Sequence, residues 1–145
     1  MVNNLDTIAF KAICSFIKDV STEYGQDIHG FVLYNHLLSK TTSQHLKAIE
    51  KNSMLFRNFC VLNRDAIQNM SIDDLDQSPI IYSENIKINI YDLLKHANRE
   101  NIKIVWKHLL TISAIVDQAG EARKILKEIS TKDTAAEGDF LANLI

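Results

Sequence analysis

Proline occurs once in these 145 residues and glycine only four times. So few breakers leave little material for the tight turns of a many-stranded sheet, and they favour long helices. The glycines, Gly25, Gly30, Gly120 and Gly138, are scattered. No loop that cradles a phosphate can be assembled from them, and Gly-x-Gly-x-x-Gly is absent. Cysteine occurs twice, as Cys14 and Cys60, too few for the disulfide framework of a small secreted domain. Each lies in an apolar helical pattern, where a thiol packs as a small hydrophobe and is inert. Net charge is only −2, so the field of the whole molecule draws neither nucleic acid nor an acidic membrane surface. Met1–Asp6 shows neither the basic nor the apolar region of a signal peptide. The chain reads as an intracellular, reduced protein.

What is present is helical periodicity. The length fits one domain of the usual size, about 100–200 residues. The run Ile102–Val116 is apolar on nearly every side except along Lys103, Lys107, His108 and Thr111. A helix with so narrow a polar stripe is surrounded by other helices. It falls short of the roughly 20 apolar residues a bilayer crossing needs, so no membrane span is expected and this is the central helix of a compact domain.

The elements around it follow in order. Leu5, Ile8, Ala9, Ala12, Ile13, Phe16, Ile17 and Val20 mark one face of a first helix, capped by Asn3 or Asn4 and stopped at Tyr24-Gly25. A second starts near Asp27, with Ile28, Phe31, Val32, Leu37 and Leu38 apolar and Gly30 disturbing its first turn. Thr41-Thr42-Ser43-Gln44 has capping-box spacing. It predicts one unbroken third helix to about Asn69, roughly 40 Å long, lined by Leu46, Ile49, Leu55, Phe56, Phe59, Cys60, Leu62 and Ile67. Ser71–Pro79 reads as loop. Ile86, Ile88 and Ile90 alternate with Lys87 and Asn89 after Ile80-Ile81-Tyr82, which predicts a small β-hairpin near residues 80–90. Asn89 caps a fourth helix carrying Leu93, Leu94 and Ala97. Asn98–Asn101 either ends that helix or joins it to the central one. A sixth carries Ala122, Ile125, Leu126 and Ile129.

Chemistry is harder to find. The five histidines, His29, His36, His45, His96 and His108, form no His-x3-His pair and stand near no cysteine at zinc spacing. No serine has the glycine flanks of a nucleophile elbow. Asp73-Asp74-x-Asp76 resembles half of a calcium loop, but the glycine and the closing glutamate are missing, so it reads as a solvated acidic loop. No catalytic, cofactor-binding or metal-ligating residue is therefore assigned. Trp106 sits in the most apolar helix and reads as core rather than binding hot spot. One basic pattern has order: Lys95, Arg99, Lys103 and Lys107 recur every fourth residue. If the fourth and fifth helices are continuous they form a stripe able to track phosphates. Glu100 interrupts it, and no aromatic residues interleave as a single-strand platform requires.

Residues 131–145 change character. Ser130–Asp139 holds no large apolar residue and reads as linker. Thr134 and Glu137 then stand at capping-box spacing before Phe140, Leu141, Leu144 and Ile145. This short amphipathic segment is expected to dock on its own domain, on a second copy or on another protein.

Three segments, Leu33–Thr42, Phe59–Ile67 and Val105–Ile112, are together similar to uncharacterised helical proteins of large double-stranded DNA viruses of algae and protists. The similarity spans most of residues 5–129 and contains no catalytic signature. It implies an intracellular, viral setting in the host cytoplasm or the virion. Such relatives continue past a Phe-Leu-rich helix, which implies a short member or a piece of a longer protein.

The expectation is an all-α domain over residues 1–130, with about six helices packed around Ile102–Val116 and a small hairpin. Phe16, Phe56, Phe59, Trp106, Leu109 and Ile112 are expected among its most buried residues. The functional expectation is a non-enzymatic protein-interaction or assembly module, partnered by another protein or by itself, through Phe140, Leu141, Leu144 and Ile145. The alternatives are a nucleic-acid accessory protein using the Lys95–Lys107 stripe, and an enzyme of unrecognised type whose histidines gather only in the fold.

Overall fold

The computed structural model describes residues 4–24, 29–42 and 44–132. Among these stand seven α-helices and one hairpin. The helices are α1 (Asn4–Tyr24), α2 (His29–Ser39), α3 (Leu46–Leu62), α4 (Arg64–Asn69), α5 (Ile90–His96), α6 (Arg99–Val116) and α7 (Ala122–Lys132). Between α4 and α5 come a 3-10 turn, Ile72–Asp74, and strands β1 (Ile80–Ile81) and β2 (Lys87–Ile88). The strands pair antiparallel, Ile80 opposite Ile88 and Ile81 opposite Lys87. The expected linker starts later than Ser130, because α7 continues through Lys132; Gly25, Asp27, Ser43, the rest of the linker and Phe140–Ile145 lie outside the described residues.

The central helix is α6, packed by α1, α3, α4 and α7. From Leu109 to Val116 every residue of it is buried, because partners cover it on all sides. The six residues expected in the core are all there, none more than 7 % exposed. Phe16 meets Phe56 edge to face, with ring centroids 6.4 Å apart, the arrangement that sets a positive ring edge on a negative face. A two-stranded hairpin is marginal alone. Here it lies on the helices through Ile80 and Ile88, which are 7 % and 2 % exposed.

Polar side chains close the helix ends. Asn89 Oδ1 accepts from the Asp92 amide at 3.0 Å and opens α5. Asn98 Oδ1 accepts from the Asn101 amide at 2.9 Å and opens α6. The Asn98 cap shows that α5 and α6, expected from the sequence as a fourth helix and the central one, are separate. The Ser53 hydroxyl donates to buried Asp6 at 2.7 Å and ties α3 to α1. Arg64 grips Asp117 with Nε at 2.7 Å and Nη2 at 2.6 Å, a fork matched to the carboxylate. That pair joins α4 to the end of α6.

The long third helix is corrected on two counts. It starts at Leu46, after the expected capping box: Thr42 turns back to His45, its amide donating to Nδ1 at 2.9 Å. It also ends at Asn63, where the chain breaks before α4. Asn63 is buried. Its Nδ2 donates to the Phe59 carbonyl at 3.0 Å, and its Oδ1 accepts from the Asp76 amide at 2.8 Å. A side chain that bonds its own helix and a distant loop competes with the helical ladder. The break turns six expected helices into seven.

Candidate functional site

Two concave features of the described surface carry apolar walls beside polar groups, and neither is built on the residues singled out by sequence spacing. The first is a groove between α3 and β1. Leu55, Phe59 and Leu62 of α3 line it, facing Pro79, Ile80 and Ile81. Asn58, Asn63, Asp76 and Ser78 supply its polar atoms. Leu62 is 67 % exposed and Ile81 51 % exposed. Asn63 holds one wall in place through the Asp76 amide. The Ser78 hydroxyl and then its amide hold the Asp76 carboxyl below its ordinary range, since hydrogen bonds to the charged form favour it. Asp73, Asp74 and Asp76 are all exposed on that wall's loop.

The second is a cleft between the end of α1 and the start of α6, of about 210 Å3. Val20, Ile104 and Val105 give it an apolar side. His108 Nε2 and Asp19 Oδ2 meet in it at 2.9 Å. The imidazole is steadied by Phe16, whose ring centroid is 5.3 Å away. Asn101 Nδ2 donates to the Tyr24 hydroxyl oxygen at 2.8 Å.

A histidine oriented by a carboxylate is half of a catalytic arrangement. The other half is a nucleophile bonded to the imidazole. Thr22 turns its hydroxyl onto the Lys18 carbonyl at 2.9 Å, and the Tyr24 hydroxyl is engaged with Asn101. The cleft contains one histidine rather than a cluster. His36, His45 and His96 stand exposed on other elements, and His96 Nδ1 turns onto the Asp92 carbonyl at 2.8 Å. Among the described residues no group of three His, Cys, Asp or Glu side chains is placed to hold a metal.

Neither cysteine offers a thiolate. Burial pushes the Cys14 thiol up to about 11. Cys60 lies fully inside the core, and burial, reinforced by the charge of Asp117, raises it further. Tyr34 is equally enclosed: its hydroxyl donates to Asn52 Oδ1, and burial first, then Cys14 and Tyr82, raise its pKa.

The basic stripe is divided. Lys95 belongs to α5 and lies over the Tyr91 ring, 5.3 Å from its centroid. Arg99, Lys103 and Lys107 belong to α6, with the first two exposed and Lys107 half-buried. The Asn98 cap between the helices breaks the four-residue period on which a single stripe depends. Trp106 is 3 % exposed and is core. Phe140, Leu141, Leu144 and Ile145 lie outside the described residues.

Sequence reasoning placed Leu62 on the covered face of α3 and missed the groove. A signal was available. Met54, Leu55, Val61 and Leu62 add to Phe56, Phe59 and Cys60, more apolar residues than one buried stripe of a helix can hold. The His108–Asp19 pair spans 89 residues and leaves no local trace.

No helix among the described residues is long and apolar enough to cross a membrane. Residues 9–132 match the model of a family described as a family of unknown function (DUF5891). No curated protein and no solved structure matches the chain.

Proposed function

We propose, for a chain that belongs to this family of unknown function, that it is a helical protein-interaction module. Its α3–β1 groove takes a basic, apolar-faced segment of another protein. The observation that carries this reading is the pair Leu62 and Ile81, 67 % and 51 % exposed while lining one groove. Single exposed aliphatics are ordinary, whereas a concave group of them supports a binding surface. An amphipathic segment laid into such a groove buries its apolar anchors there.

Charge selects the occupant. Asp76 lines the groove, and Asp73 and Asp74 are exposed in the segment just before it, so lysines and arginines flanking the anchors are attracted and acidic segments are repelled. The chain's own run Phe140–Ile145 follows Asp133, Glu137 and Asp139. That segment has the wrong charge for this groove, which leaves it to a different contact.

The test is selection of peptides from a random display library on the wild-type protein. Selected peptides should combine apolar anchors with Lys or Arg. They should bind Leu62→Asp at least tenfold more weakly, with its melting temperature unchanged because Leu62 is exposed. Peptides without basic residues, or peptides that bind Leu62→Asp as tightly, overturn the proposal. If a synthetic peptide of residues 133–145 displaces the selected ones, the occupant is the chain itself. If the wild type sediments as a dimer and Leu62→Asp as a monomer, the occupant is a second copy. Either result replaces the basic partner.

A further inference from the structure

The α1–α6 cleft is separate from the groove and has a different chemistry. We propose that it binds a small uncharged molecule with an apolar face and a lactam or primary-amide edge. Val20 and Val105 form a closed apolar floor, each 3 % exposed, while Ile104 stands half open at the lip, at 50 %. A ligand ring laid on these side chains removes apolar surface from water on both partners. The volume suits one ring: a cavity of about 150 Å3 accepts benzene, and this cleft offers about 210 Å3.

The polar edge is read by Tyr24 and Asn101. Asn101 Nδ2 donates to the tyrosine oxygen at 2.8 Å. The hydroxyl proton of Tyr24 and the Oδ1 of Asn101 then have no partner among the described residues. A donor and an acceptor therefore stand side by side. A lactam is their complement, its carbonyl accepting from Tyr24 and its N–H donating to Asn101. Turning the asparagine amide over exchanges the two roles and leaves one donor and one acceptor still.

The charges argue against an anion. Lys18, Asp19 and Glu23 line the cleft, and two carboxylates stand against one ammonium. A phosphate or carboxylate would meet that excess of like charge. His108 is already occupied by Asp19, so the pair serves as a fixed polar end wall.

The experiment titrates the 15N-labelled chain with uracil, a ring lactam, and with nicotinamide, a primary amide. Saturable shifts are expected at the Asn101 side-chain amide and at the backbone amides of Tyr24, Val105 and His108. On the same wild-type protein 1,3-dimethyluracil, which keeps the ring and carbonyls but has no N–H, should bind at least tenfold more weakly than uracil. Tyr24→Phe should weaken uracil about tenfold, the loss of one directed hydrogen bond. Failure of both uracil and nicotinamide to give saturable shifts overturns the proposal. So does equal binding of 1,3-dimethyluracil, or unchanged uracil affinity in Tyr24→Phe.

Discussion

The carbonyl of Lys87 lies directly against Gly30. A β-carbon on Gly30 would stand 3.3 Å from the carbonyl carbon and nearer still to its oxygen. Strand β2 is thus seated on the opening turn of α2, and glycine is required there by close approach of two backbones.

Gly30→Ala accordingly sets propensity against packing. Helix propensity favours alanine by up to about 1 kcal/mol. The collision with a backbone carbonyl, which cannot swing aside as a flexible side chain can, outweighs that gain. The melting temperature should fall, and the amides of Lys87 and Ile88 should exchange faster than those of α6. A rise in melting temperature would show that the hairpin yields at no cost.

This glycine illustrates what was legible in the sequence. Its presence inside a helical pattern was visible, and a disturbed first turn was the inferred consequence. The reason for the glycine is a strand 57 residues later in the chain, at Lys87, which no local pattern records. Local signals held for several elements, while the capping-box spacing at Thr41–Gln44 did not open α3, which starts at Leu46. The Asn89 cap, the alternating isoleucines and the apolar run ending at Val116 each specify their own element through neighbours a few residues away. The break at Asn63 was missed because its cause is a bond to Asp76 across the fold. The groove and the cleft share that property, each assembled from elements distant in sequence.

The thiols give a pH dependence with a definite sign. Burial moves Cys14 from 9.0 to about 11, so the folded state keeps its proton where the unfolded state has lost it. Folding stability from this group is full below about pH 9 and declines as pH rises towards 11. At pH 7 Cys14 therefore holds less thiolate than an ordinary thiol. Iodoacetamide should therefore label neither cysteine readily in the native protein, and both in denaturant. Rapid native labelling of Cys60 would show that the core around Ser113 and Asp117 opens.

The segment Phe140–Ile145 has its own expectation. A helix this short is not stable alone in water, so its four apolar residues gain only by contact. Phe140→Asp should weaken self-association or partner binding, read by sedimentation, while leaving the melting temperature within a degree or two. A large drop in melting temperature with association unchanged would assign the segment to the core instead.

Asn63 links the fold to the proposed groove. Its amide bonds the Phe59 carbonyl at 3.0 Å and the Asp76 amide at 2.8 Å, so one side chain both ends α3 and fixes the facing wall. Each such bond contributes about 0.5–1.5 kcal/mol net. Asn63→Ala should lower the melting temperature by several degrees, roughly 2–4 °C per kcal/mol for a chain this size. The more telling effect is local. Well below the transition, the Asp76 amide should exchange many times faster while the amides of Leu109 and Ile112 in α6 stay protected. Peptides selected on the wild-type groove should bind the variant more weakly, because Pro79 and Ile81 no longer face Leu62 at a fixed spacing. If Asp76 remains as protected as in the wild type, the wall is held by the hairpin and Asn63 serves α3 alone.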